Sequence, residues 1–121
     1  MCPENANVYV VEDNSEWKRI VAKEMEKGGH TIVAQDEKRE SALQTVESLV
    51  AMGVQVVVLD GNVTEGMHDG SDGRLIAKAI KQAAPEVKII GFSTAPVSGA
   101  DLSLDKSSFE IMDLANAVTR I

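Results

Sequence analysis

The sequence contains a single cysteine, Cys2, and two histidines among 121 residues. One cysteine cannot form a disulfide within the chain, and no Cys/His spacing typical of a zinc site occurs. No apolar run approaches the roughly 20 residues that span a bilayer. Residues 1–5 also lack the basic-then-apolar pattern of a signal peptide. These absences predict a reduced, cytoplasmic protein.

Basic charge is scarce as well. Twelve Lys and Arg residues against 19 Asp and Glu residues give a net charge of −7. Proteins that bind nucleic acid usually carry a basic stripe, and none is visible here. The same deficit disfavours an anionic membrane surface as a partner. Hydrophobic residues still supply 44% of the chain, which is enough for one ordinary core. No linker interrupts the pattern, so we predict one domain over residues 1–121.

Short apolar runs alternate with amphipathic helical patterns. The runs predict five strands, at residues 8–11, 30–34, 54–59, 87–92 and 102–104. The helical stripes are Trp17, Ile20, Val21 and Met25; Leu43, Val46, Leu49 and Val50; Leu75, Ile76, Ala79, Ile80 and Ala83; and Ile111, Leu114, Ala115 and Val118. Continuous apolar strands indicate a parallel sheet covered on both faces. Right-handed crossovers then give an α/β fold, a doubly wound three-layer sandwich.

Two pairs of polar residues predict helix starts. Asp13 with Glu16, and Ser107 with Glu110, have the three-residue spacing of a capping box. The crossover before the fifth strand is unusual, because only residues 94–101 are available for it. Eight extended residues reach about 26 Å, whereas a helical crossover needs a dozen residues or more. We therefore predict that this helix is missing or reduced to one turn, which leaves a patch of the sheet uncovered.

Polar residues follow the predicted strands at their carboxyl ends. Glu12 and Asp13 end the first strand, Asp60 the third, Ser93 the fourth, and Lys106 follows the fifth. Ligands of open parallel sheets bind at this edge. Converging carboxylates repel one another, and a hard divalent cation such as Mg²⁺ relieves the repulsion. One carboxylate can then attack phosphorus to form an acyl phosphate, with the hydroxyl and the lysine stabilising the transferring phosphoryl oxygens.

This ordered set resembles the receiver domain of two-component response regulators over about residues 7–120. The resemblance implies a flavodoxin-like fold with strand order 2-1-3-4-5 and a phosphorelay function. It implies that Asp60 is the phosphoacceptor and that Glu12 and Asp13 form the acidic pair, with Asp13 the more direct Mg²⁺ ligand. Asp60 also contacts the metal in this family, and Asn62 supplies its backbone carbonyl.

The remaining roles implied by the resemblance concern the phosphoryl group. Ser93 is the expected hydroxyl residue, and Thr94 replaces it if the strand register shifts by one residue. Lys106 is the expected lysine. The expected partners are a histidine kinase or phosphotransfer protein, or a small phosphodonor. Because we expect no output domain in this chain, an unknown downstream protein is a further expected partner. A second copy of the chain is another candidate partner at the uncovered patch. No nucleic acid and no membrane is expected.

The sequence departs from the family at three places. Ser107 stands where the family usually has proline, and a cis bond without proline costs about 2.5–4 kcal/mol. Ser103 stands where the family has an aromatic switch residue, and the loop after Asp60 is longer than usual. The missing proline, the missing aromatic residue and the shortened crossover before the fifth strand motivate an alternative, in which the chain is a degenerate receiver that serves as a phosphorylation-independent docking module.

An enzyme is the third hypothesis. Residues 57–64 faintly resemble the first motif of haloacid-dehalogenase-type phosphatases. That motif has an aspartate two residues after its nucleophile, where this chain has Asn62. We therefore expect no enzymatic turnover beyond self-phosphorylation and self-dephosphorylation at Asp60.

Overall fold

The computed structural model describes residues 6–12, 14–59, 71–93, 99–105 and 118. Its strands are β1 (Asn7–Val11), β2 (Thr31–Asp36), β3 (Val56–Leu59), β4 (Lys88–Ser93) and β5 (Leu102–Asp105), and its helices are α1 (Ser15–Lys27), α2 (Arg39–Val46) and α3 (Ser71–Ala83). The strands form one parallel sheet in the order β2-β1-β3-β4-β5. The predicted fold class and strand order are confirmed.

The central strands β1, β3 and β4 are buried on both faces, as their continuous apolar residues predict. One core cluster packs α2 and α3 against the face that contains Tyr9 and Leu59. The other cluster packs α1 against the face that contains Val58, and it includes the fully buried Met25. Val118, which is helical and fully buried, joins this second cluster. The rest of the predicted last helix, and the capping box at Ser107, lie outside the described residues. None of the helices in the described part of the chain is long and apolar enough to cross a membrane.

The start of α1 corrects one prediction. The N-cap is Asn14, whose backbone is extended (φ −89°, ψ 122°). Its side-chain Oδ1 accepts hydrogen bonds from the backbone N–H groups of Glu16 at 2.9 Å and Trp17 at 3.0 Å. The predicted capping box of Asp13 and Glu16 is therefore wrong, because the neighbouring asparagine satisfies the free N–H groups of the first turn.

Some predicted core positions and strand starts also differ. Val50 is 70% exposed, because α2 ends at Val46 and turns follow, so the helical spacing no longer applies. Leu75 is 45% exposed at the border of its helical stripe. β2 begins one residue after His30, whose Nδ1 instead accepts a hydrogen bond from the N–H of Ala6 at 2.9 Å.

The connection from β4 to β5 is as short as the sequence predicts. Eight residues join two parallel strands, and the three that are described, residues 99–101, form no helix. Gly99 has a φ of +91°, and a Cβ at this position would lie 3.2 Å from the Cβ of Ala77. Glycine is favoured there because it accepts the left-handed backbone and the close approach to α3. Leu102 and Ser103 of the edge strand β5 are exposed.

Asp101 fixes the entry to β5 at the amino-terminal edge of the sheet. Its N–H donates to the carbonyl of Ile89 at 2.8 Å, and its Oδ2 accepts from the N–H of Ile89 at 2.8 Å. Lys81 of α3 donates to the same Oδ2 at 2.8 Å. Burial raises the pKa of Asp101, but the hydrogen bonds from Lys81 and Ile89 and the lysine charges outweigh it, so the net pKa is lowered.

Candidate functional site

Two central strands, β1 and β3, end at one level, and β4 and β5 continue two residues further at the same carboxyl-terminal edge of the sheet. Val11 of β1 pairs with Leu59 of β3, and Leu59 pairs with Gly91 of β4. Gly91 in turn pairs with Ser103 of β5. Because the strands are parallel, the strand ends at Val11, Leu59, Ser93 and Asp105 lie at the same edge of the sheet.

The predicted site residues lie at these strand ends or follow them closely in the sequence. Glu12 follows Val11 directly, and Asp60 follows Leu59 directly. Ser93 pairs with Asp105, the residue before Lys106. The register therefore brings the backbone positions of Glu12 and Ser93 to one edge. The other predicted members of the site, namely Asp13, Asp60, Asn62, Thr94 and Lys106, lie outside the described residues.

Glu12 is the predicted site residue that the structure describes fully. Its side chain is buried, with 2% exposure, and its backbone N–H donates to the carbonyl of Asp36 at 3.0 Å. A carboxylate taken out of water needs a compensating charge or hydrogen bonds. Carboxylate oxygen is also a ligand that Mg²⁺ prefers, so this donor suits a hard cation. Within the described residues alone, no group of three His, Cys, Asp or Glu side chains is arranged to hold a metal.

A polar network lies beside Glu12 and was missed by the sequence reasoning. The hydroxyl of Tyr9 donates to Oδ2 of Asp36 at 2.6 Å, and the hydroxyl of Thr45 lies 2.5 Å from the same oxygen. Burial, together with the hydrogen bond to and the negative charge of Asp36, raises the pKa of Tyr9 well above its ordinary value. No spacing rule links a strand tyrosine to these two positions, so the sequence carries no signal for the network.

An ion pair and an aromatic contact surround the start of α1. Lys18 forms a salt bridge with Glu37, the residue after β2. The hydrogen bond and the positive charge of Lys18 lower the pKa of Glu37. Trp17 contacts Phe92, the residue that precedes Ser93 on β4. The first turn of α1 therefore contacts the ends of β2 and β4, which lie on either side of the end of β1 that carries Glu12.

Comparison with solved structures shows what this architecture is similar to. The signal receiver domain of NarL from Mycobacterium tuberculosis superimposes with a TM-score of 0.74 at 22% identity, over 96% of this chain and 94% of that one. The isolated REC domain of RcsB from Salmonella enterica serovar Typhimurium, solved with the phosphomimetic BeF₃⁻, gives 0.72 at 18% identity, over 94% and 86%. The response regulator domain of CheB from Thermotoga maritima gives 0.71 at 17% identity, over 95% and 91%.

Sequence comparison alone gives no such relative. No protein-family profile matches the chain, and no curated protein matches it significantly. The likeness therefore lies in three-dimensional structure, across nearly the whole length of the chain. The chain has the fold of the receiver domains of response regulators.

Proposed function

We propose that this protein is a phosphorelay receiver in which Asp60 accepts a phosphoryl group. The observation that carries the proposal is the parallel register, in which Val11 pairs with Leu59 at the ends of β1 and β3 and β4 continues to Ser93 at the same edge. It supports a site in which Glu12, Asp60 and Ser93 act on one ligand. The receiver fold, found in structures such as RcsB REC with BeF₃⁻, supports the same reading.

The proposed cation site is an oxygen site. Glu12, Asp13, Asp60 and the carbonyl of Asn62 would hold Mg²⁺, and the buried carboxylate of Glu12 fits such a donor set. When bound, the cation neutralises negative charge on the phosphoryl oxygens and on the attacking carboxylate.

The transfer step is a displacement at phosphorus. A carboxylate oxygen of Asp60 forms a bond to phosphorus while the bond from phosphorus to the donor breaks. The donor is a phosphohistidine of a kinase or phosphotransfer protein, or an acyl phosphate, and the imidazole nitrogen or carboxylate leaves with the electron pair. The hydroxyl of Ser93, or that of Thr94, donates to a phosphoryl oxygen, and Lys106 balances its charge. The acyl phosphate then changes a surface that a downstream protein reads.

Intact mass spectrometry after incubation with acetyl phosphate and Mg²⁺ tests the proposal. We expect wild type to gain one phosphoryl group and Asp60→Asn to gain none. Asp101→Asn is the matched control, because it removes an aspartate at the opposite edge of the sheet, and it should be phosphorylated as wild type. If wild type gains no mass, and BeF₃⁻ with Mg²⁺ leaves its tryptophan fluorescence spectrum unchanged, the proposal is wrong. The docking-module alternative is then favoured.

A further inference from the structure

An irregularity in β2 decides which face of the sheet Asp36 occupies. Val8 pairs with Ile32, but Tyr9 pairs with Ala34, so the register shifts by one residue at this point. Ile32 packs on the α1 side, whereas Ala34 packs on the α2 side. A bulge inserts one residue and re-aims the side chains that follow it. Asp36, which pairs with Val11, is thus placed on the face that carries Tyr9.

The re-aimed carboxylate receives two hydroxyl groups from different elements. Tyr9 reaches Asp36 from the central strand β1, and Thr45 reaches it from the last turn of α2. Thr45 is itself anchored, since its Oγ1 lies 3.0 Å from the carbonyl of Ser41 one helical turn earlier. The side chain of Asp36 is therefore fixed relative to both the sheet and the helix above it.

The backbone of the same residue supports the acidic end of β1. The carbonyl of Asp36 accepts the N–H of Glu12 at 3.0 Å, one residue beyond the β1–β2 ladder. We propose that Asp36 is a positioning residue. Held by Tyr9 and Thr45, it fixes the backbone of Glu12 and so sets the affinity of the edge for a divalent cation. The effect on cation affinity rests on the proposed function, whereas the effect on the backbone of Glu12 rests on the observed contacts.

Isosteric variants separate positioning from plain stability. Thr45→Val replaces the hydroxyl that contacts Asp36 by a methyl group of similar size, Tyr9→Phe deletes the other hydroxyl and keeps the ring, and Thr45→Ser keeps a hydroxyl at position 45. Asp101→Asn is the control for stability loss, because its hydrogen bonds lie at the amino-terminal edge of the sheet. Losing an outer-shell partner of a metal ligand lowers metal affinity about 10- to 100-fold. The two hydroxyl groups act on Glu12 only through the backbone of Asp36, so we expect the affinity for Mg²⁺ to fall by about tenfold, the lower end of this range.

Two readouts on the full chain decide the outcome: calorimetric titration with Mg²⁺, and amide hydrogen exchange at Glu12. We expect Thr45→Val and Tyr9→Phe to weaken Mg²⁺ binding and to speed exchange at Glu12. Thr45→Ser and Asp101→Asn should keep the Mg²⁺ affinity and the Glu12 exchange rate of wild type, although Asp101→Asn is less stable. Unchanged Mg²⁺ affinity in both hydroxyl-deletion variants, with wild type binding, overturns the inference alone. Absence of Mg²⁺ binding by wild type overturns the proposed function and the cation step with it, and exchange at Glu12 then decides the positioning claim.

Discussion

Trp17 packs edge-on against Phe92, with the ring centroids 5.4 Å apart and the ring planes at 83°. This is a favourable geometry for an aromatic pair. Trp17 is the single tryptophan of the chain, and Phe92 directly precedes Ser93. The contact therefore joins the first turn of α1 to the end of β4, where the hydroxyl residue of the proposed site lies.

Trp17 should report occupation of the site by its fluorescence. We expect BeF₃⁻ with Mg²⁺ to change the emission of wild type, because a ligand at the end of β4 alters the surroundings of Phe92. Asp60→Asn should lose the response to BeF₃⁻, whereas Asp101→Asn should keep it. An equal response in Asp60→Asn would show that the signal comes from a different site.

Asp13 and Asn14 are adjacent, but we expect them to have different roles, with Asn14 stabilising α1 and Asp13 binding the cation. Asn14→Ala should lower the free energy of unfolding by about 0.5–2 kcal/mol, because two first-turn N–H groups lose their acceptor. Asn14→Ser should lower the free energy of unfolding much less, because serine is also a good N-cap residue. Asp13→Asn should leave the stability near that of wild type and weaken Mg²⁺ binding instead. Chemical denaturation and Mg²⁺ titration of the three variants measure both effects, and the reverse pattern would contradict these roles.

Tyr9 makes stability fall in alkaline solution. Its pKa is raised in the folded protein, so the unfolded chain loses this proton first, above about pH 10. The contribution of Tyr9 is fully present below that pH and is lost as the pH rises. Denaturation of wild type and Tyr9→Phe between pH 8 and pH 11 should show a shallower decline in the variant. Parallel curves would mean that the phenol ionises equally in both states.

Asp101 produces the opposite dependence at low pH. Its net pKa is lowered in the folded protein, so its contribution is present above the unfolded value of about 4 and is lost as the pH falls below it. Asp101→Asn should be less stable than wild type at pH 7, and the difference should narrow towards pH 2. A difference that stays constant over this range would contradict the ion pair with Lys81 as its source.

Much of the architecture was predictable from the sequence. Apolar runs and helical stripes gave the order of the elements, because buried parallel strands need continuous apolar residues. The eight-residue connection before Leu102 gave the short crossover, because chain reach excludes a full helix. Val11 pairs with Leu59, so the ends of β1 and β3 lie at one level, whereas the convergence of the site side chains stays a prediction.

The features that the sequence does not predict depend on shifts of one or a few residues, namely the position of a bulge, of an N-cap and of a helix end. The bulge in β2 moves Asp36 to the face of Tyr9, and alternation of side chains does not reveal where a bulge falls. Asn14 and Asp13 are equally good capping residues by type, so only the backbone conformation decides between them. The helical pattern predicts a buried Val50 because it continues past Val46, where the helix itself ends.

Mapping of the phosphoryl group tests the central claim most directly. After reaction with acetyl phosphate and Mg²⁺, borohydride reduces an aspartyl phosphate to homoserine, which peptide mass spectrometry locates. We predict homoserine at position 60 of wild type and none in Asp60→Asn. Homoserine at another aspartate, or a phosphoryl group that survives borohydride on a serine or threonine, would contradict Asp60 as the acceptor.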